Sequence, residues 1–129
     1  MGTGYLVDTN IAIYTLKGVL PENAALFLAP ILNEGCLLSI ISRVELLGFL
    51  FPESDEEAKA KKFIEDSSVL PITDAVADQA IAIRKLHKIK LGDTLIAATA
   101  LVNGLTLITR NEADFKNIPG LKVINPFLV

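Results

Sequence analysis

Four acidic residues, Asp8, Glu45, Asp93 and Asp114, stand in contexts that an ordinary surface carboxylate does not need. Asp8 interrupts the apolar run YLVDTNIAIYTL. Glu45 sits in SRVELLGF with Ile41 and Phe49 four residues to either side, Asp93 opens the almost wholly apolar DTLIAATALVN, and Asp114 lies in TRNEADF just after an apolar run. Each has a plain structural alternative. Asp8 and Asp93 can cap helices by accepting hydrogen bonds from unpaired backbone N–H groups, and Asp114 can be a solvated loop acid. Glu45 is harder to explain that way, because it interrupts an apolar helical stripe and a carboxylate aimed at a core is costly unless paired or bound to a metal. Four carboxylates gathered in one place repel one another unless a cation stands among them. The hard cations that take oxygen donors are Mg2+, Mn2+ and Ca2+, and Mg2+ usually keeps waters and binds phosphates. The chemistry open to such a site is phosphodiester hydrolysis, in which the metal acidifies a water and neutralises charge on the phosphorus.

The elements that must position these acids follow from the apolar pattern. Short runs bounded by turn residues occur at Tyr5 to Val7, Cys36 to Ile40, Val69 to Ile72, Leu105 to Ile108 and Lys122 to Ile124, several of them continuous as buried parallel strands are. Between them the helical stretches are Asn10 to Leu16, Glu22 to Leu32, Ser42 to Phe51, Ser54 to Glu65, Asp74 to Lys88 and Asp93 to Asn103. Ser54 with Glu57 is a capping-box signature, and Gly104 after Asn103 is a helix stop. Strands alternating with helices predict an α/β fold with a mainly parallel sheet, whose ligands bind beyond the carboxyl ends of the strands at the point where strand order reverses. Asp8 and Asp114 directly follow strands. Asp93 reaches the same edge differently, since only Gly104 separates its helix from the next strand and the two must run antiparallel.

The chain has 129 residues, 51% hydrophobic and 21% charged, which predicts a single folded domain over 1–129 with apolar surface left over for a partner or a second copy. One cysteine excludes an internal disulfide and a cysteine zinc cluster, and suits a reducing compartment, with cytoplasm as the default. No run reaches the roughly 18 apolar residues of a membrane span, and the start lacks the features of a signal peptide, so no membrane role is expected. A formal charge of −3 argues against a general nucleic-acid coat protein, yet setting aside the four acids leaves +1. The basic run RKLHKIK leads straight to Asp93 and supplies Arg84, Lys85, Lys88 and Lys90 as candidate phosphate contacts, with Arg43 and Arg110 beside other acids. A solvated helix face explains any single one of those lysines as well, and His87 belongs with that face rather than with a site.

LVDTNI, SRVELLGF, GDTLIAATAL and TRNEADF, in that order across nearly the whole chain, resemble the PIN-domain family, most closely the small VapC-type ribonuclease toxins of toxin–antitoxin pairs. The resemblance implies a three-layer fold around a parallel five-stranded sheet of order 3-2-1-4-5, Mg2+ or Mn2+ dependence, and RNA cleavage that inhibits translation. It implies that Asp8, Glu45, Asp93 and Asp114 hold the metal directly or through water, supported by Thr9, Asn10, Thr109 and Asn111. It further implies a homodimer silenced by a cognate antitoxin, for which the segments AALFLAPIL and ELLGFLF are candidate contacts. Thr94 stands where the family more often has alanine and adds a hydroxyl near the site, and Glu112 competes with Asp114 for the fourth position.

Two alternatives differ in function. A PIN domain of RNA processing would share the site without being a toxin. A phospho-accepting signalling receiver also has an acidic pocket at a parallel sheet edge, but there an acid pair, an acceptor aspartate after the third strand and a late lysine are needed. Here Asp8 stands alone, Ile72 runs into Thr73 and Asp74 at a helix start, and the last strand ends in Asn125 and Pro126. A Rossmann cofactor fold would need GxGxxG after the first strand.

Overall fold

The computed structural model describes residues 4–129; Met1 to Thr3, on which part of the signal-peptide and domain expectations falls, lie outside it. In chain order the elements are β1 (Tyr5–Val7), α1 (Thr9–Lys17), α2 (Glu22–Asn33), β2 (Leu37–Ser39), α3 (Ile40–Leu47), α4 (Ser54–Glu65), β3 (Ser68–Leu70), α5 (Asp74–Leu86), α6 (Leu91–Val102), β4 (Thr106–Ile108), α7 (Glu112–Phe115) and β5 (Val123–Ile124), closed by a 3-10 turn at Pro126–Leu128. All strand pairs are parallel, in the order β3-β2-β1-β4-β5. The order reverses between β1 and β4, where Leu6 pairs with Leu107 and Val7 with Ile108.

Alternation along these short strands separates two cores and makes three layers. Leu6 and Leu107 point to one face, against Val76, Ala80 and Ile83 of α5, Ile96, Ala97 and Ala100 of α6, and Phe115 of α7. Val7, Leu38 and Ile108 point to the other, against Ile11 and Ala12 of α1, Leu28 of α2, Leu46 of α3 and Ile64 of α4. With helices on both faces the central strands have no solvated side, which is why they read as unbroken apolar runs. α6 is buried through its middle, from Ile96 to Ala100, where Ala97, Ala98 and Ala100 have no exposed surface.

Three local expectations are corrected. α6 begins at Leu91 with Lys90 as its cap, so Asp93 is the third helical residue and caps nothing. The capping box does not form, because Ser54 is already helical and Glu53 stands at the cap position without a side-chain hydrogen bond. α3 ends at Leu47, leaving Phe49, Leu50 and Phe51 outside it, with Phe49 and Phe51 packed edge to face. The stop at Gly104 does hold: at φ +64° its N–H reaches Leu101 O and the Leu105 N–H reaches Ala100 O, the paired bonds of a Schellman end. That sharp reversal is what sends α6 antiparallel to β4 and brings its first turn to the carboxyl edge of the sheet.

Candidate active site

Asp8 is the first residue past β1 and is 4% exposed. The parallel register sets Thr109 one step past β4 beside it, and the Asp8 N–H donates to Ile108 O at 2.9 Å. Its carboxylate is held from two sides: Oδ1 accepts the Thr9 N–H at 2.8 Å and Oδ2 accepts the Thr109 hydroxyl at 2.7 Å. Asp8 also caps α1. One carboxylate therefore both caps a helix and lines the cleft.

Glu45 is carried in by α3, but not as its apolar neighbours suggest. The buried face of α3 is Ser42 and Leu46; Glu45 is exposed and so is Phe49, which corrects the expectation of a carboxylate aimed at the core. Glu45 instead points across the cleft, where Thr9 Oγ1 lies 2.5 Å from its Oε1 and 2.8 Å from Ser42 Oγ. A carboxylate only accepts, so the Thr9 proton goes to Glu45 and the buried Ser42 hydroxyl donates to Thr9. Ser42 is thus a supporting residue the sequence reading missed, its signal being a hydroxyl three residues before Glu45 on the inward face. Thr94, by contrast, spends its hydroxyl on Lys90 O at 2.9 Å inside α6, and adds nothing to the site.

On the far side, the Asn111 N–H donates to Thr109 Oγ1 at 3.0 Å and its side-chain amide donates to Asp114 Oδ2 at 2.6 Å. Asp114 is in α7 rather than in a loop, at the exposed rim of the site. Asp8, Thr9, Asn10, Ile13, Glu45, Asp93 and Asn111 line one open cleft of about 300 Å³.

Electrostatics bind the four acids together. The Asp8 carboxyl is pushed up to about 6, first by burial, against its two hydrogen bonds and with help from the charges of Asp93 and Glu45. Asp93 is raised too, first by burial and then by Glu45 and Asp114, with Lys90 opposing. Asp114 therefore makes itself felt at the centre, whereas Glu112 has no side-chain hydrogen bond to the site. Among the described residues the one ion pair is Lys62 with Asp66 at the end of α4, so no lysine or arginine pairs directly with the cluster, and Lys90 acts on Asp93 only from beyond ion-pair distance.

The donors fit a hard divalent cation. All are oxygens, and Asn10 Oδ1, a carbonyl oxygen on the cleft wall, is buried with no hydrogen-bond partner. Among the described residues no three acids come close enough together to hold an ion by themselves.

A PIN-domain profile matches residues 5–121. Over 96% of its length the chain is 35% identical to ribonuclease VapC10 of Mycobacterium tuberculosis, covering 93% of that protein. This chain belongs to the VapC ribonucleases of the PIN-domain family. Its fold is similar to that of the DNA-bound VapBC of Salmonella typhimurium, with a TM-score of 0.83, 25% identity, and 97% and 99% of the two chains covered. It is also similar to a toxin–antitoxin complex from Klebsiella pneumoniae, with a TM-score of 0.77, 29% identity, and 95% and 98% covered.

In this PIN domain the candidate phosphate contacts differ in placement. Arg43 is exposed on α3, two residues before Glu45. α5 ends at Leu86, not Lys88, so Arg84 and Lys85 form its exposed last turn while Lys88 and Lys90 lie on the exposed connection to Asp93. Arg110 is held elsewhere: its guanidinium lies 4.3 Å from the Phe127 ring centroid and 5.3 Å from that of Tyr14. His87, half-buried, makes no contact with the acids.

Gly92, in the first turn of α6, lies against the Glu45 carboxylate. A Cβ on Gly92 would stand 3.2 Å from Glu45 Oε2 and 3.6 Å from Ile41 Cγ2, so glycine in the first turn of α6 leaves the space Glu45 occupies. Gly92→Ala is expected to lower turnover about tenfold by displacing that carboxylate, while the melting temperature holds or rises because alanine favours a helix by ~1 kcal/mol. Kinetics alongside a thermal melt check it; unchanged turnover would remove Gly92 from the site.

Proposed function

We propose that the chain is a cytoplasmic endoribonuclease that hydrolyses RNA phosphodiester bonds with Mg2+ or Mn2+, acting as the toxin of a pair and held silent by a cognate antitoxin. The observation that carries the reading is the acid cluster at the strand-order reversal, with the Asp8 carboxyl raised to about 6 and no lysine or arginine in a direct ion pair with it among the described residues. Asp8, Glu45, Asp93 and Asp114 would hold the metal directly or through water. When bound, the metal supplies an acidified water and neutralises charge developing on the phosphate.

The chain's residues do the positioning. Thr9 and Thr109 fix Glu45 and Asp8, Asn111 fixes Asp114, and Asn10 Oδ1 remains free to accept a hydrogen bond from a water or to coordinate the ion. Lys88, Lys90 and Arg43 give the RNA backbone positive charge near the cleft. Exposed Leu26 on α2 and Phe49 and Leu50 after α3 offer apolar surface to an antitoxin, and the apolar groove between α5 and α6, lined by Ala77, Ala80, Ile81, Leu91 and Leu95, offers it to a second copy.

Purified protein is expected to cut single-stranded RNA when Mg2+ or Mn2+ is added and to stop on addition of EDTA. Gel analysis of a labelled RNA checks this. Cleavage that persists in EDTA would sink the metal-dependent reading.

A further inference from the structure

Arg110 lies between the two residues that hold the acids, and its own side chain turns away from them. The guanidinium sits over the Tyr14 ring of α1 and the Phe127 ring of the 3-10 turn, whose centroids are 5.4 Å apart, and its Nη1 donates to the Tyr14 hydroxyl at 2.9 Å. Its carbonyl accepts from Asn125 Nδ2 at 3.3 Å. The 3-10 turn is in turn tied down by Asn23 of α2, whose amide donates to Phe127 O at 3.0 Å and Val129 O at 2.9 Å. On either side of Arg110, the Thr109 hydroxyl holds Asp8 and the Asn111 amide holds Asp114.

We propose that Arg110 is a positioning residue of the acid cluster, packed against the edge-to-face pair of Tyr14 and the C-terminal Phe127 so that Thr109 and Asn111 present Asp8 and Asp114 at a fixed spacing. Other bonds also hold the segment 109–111, among them Thr109 N–H to Ile124 O at 3.0 Å and Asn111 N–H to Thr109 Oγ1 at 3.0 Å, but the Arg110 side chain is what ties it to α1 and the 3-10 turn. The segment follows a three-residue strand, Arg110 and Asn111 are exposed, and the Asn111 cap of α7 makes no side-chain capping bond. A guanidinium that lies over the Phe127 ring while its Nη1 donates to the Tyr14 hydroxyl makes a planar contact that an ammonium does not reproduce. The last turn of the chain thereby becomes part of the site's scaffold, although none of it touches the cleft. The proposal rests on the ribonuclease reading for its kinetic consequences but not for its structural ones.

The experiment compares Arg110→Lys, Phe127→Leu and the double variant with the wild-type protein. In metal-free protein, hydrogen exchange of the 109–115 segment is expected to quicken in each variant about tenfold relative to the central strands. Mn2+ affinity by calorimetry is expected to fall about tenfold, as loss of a residue that orients ligands does. On single-stranded RNA, kcat falls about tenfold with KM unchanged, and the double variant is no worse than either single one, because both remove one clamp. Phe127→Leu is decisive, since it removes no charge. If Arg110→Lys keeps full turnover the positioning role is wrong, and if it raises KM while Phe127→Leu leaves kinetics untouched, Arg110 is a phosphate contact instead. Unchanged exchange at 109–115 overturns it equally, even if the wild-type protein cuts no RNA, an outcome that would sink the ribonuclease reading alone.

Discussion

Replacing Asp8 and Asp93 together by asparagine is expected to lower RNA cleavage by a factor on the order of a thousand or more while the chain stays folded and melts higher at pH 7. The two effects have one cause. Both carboxyls are raised by burial and by neighbouring acids, so their ionised forms destabilise the metal-free fold. Asparagine keeps the shape and much of the bonding: its carbonyl oxygen can still accept the Thr9 N–H, and the Thr109 hydroxyl can accept where it now donates. What it cannot do is carry the charge that draws a cation. A parallel activity assay and thermal melt decide the matter. Full activity in the double variant would overturn the mechanism, and a variant that melts lower than wild type would contradict the electrostatic account of the site.

The second large effect is on stability against pH in metal-free protein. Asp8 ionises near 3.8 when unfolded and near 6 when folded. Between those values the unfolded chain binds fewer protons than the folded one, so stability falls as pH rises from about 4 to about 6 and levels above that. The size is on the order of 3 kcal/mol for Asp8. Asp93 shifts in the same direction and adds to it. Mn2+ should reverse the loss at pH 7 and do little at pH 4, because protons compete with the metal for the same oxygens. Urea titrations across pH, with and without Mn2+, read this directly, and the slope should flatten in Asp8→Asn. A pH dependence identical in wild type and Asp8→Asn would refute the assignment.

Much of this protein is legible before folding. The unbroken apolar runs around Leu6, Leu38 and Leu107 announce buried parallel strands, and the alternation of strands with helices dictates the layered α/β fold. Asp8 is legible because it directly ends a strand, and strand ends are where such folds bind ligands. Asp93 is legible through Gly104, whose left-handed turn forces α6 back along β4.

Other features depended on contacts between residues far apart in the chain. The carboxylate of Glu45 was placed by Thr9, Ser42 and the empty space at Gly92, not by the periodicity of its own helix, which pointed it at the core. Arg110 reads as a free phosphate-binding charge until Tyr14 and Phe127 close on it. Local pattern determined which elements form and which edge of the sheet they reach, because backbone geometry and burial act over a few residues. Only the tertiary structure decided which side chains meet there, because a hydrogen bond such as Thr109 to Asp8, 101 positions apart, exists only once β1 and β4 are paired in register.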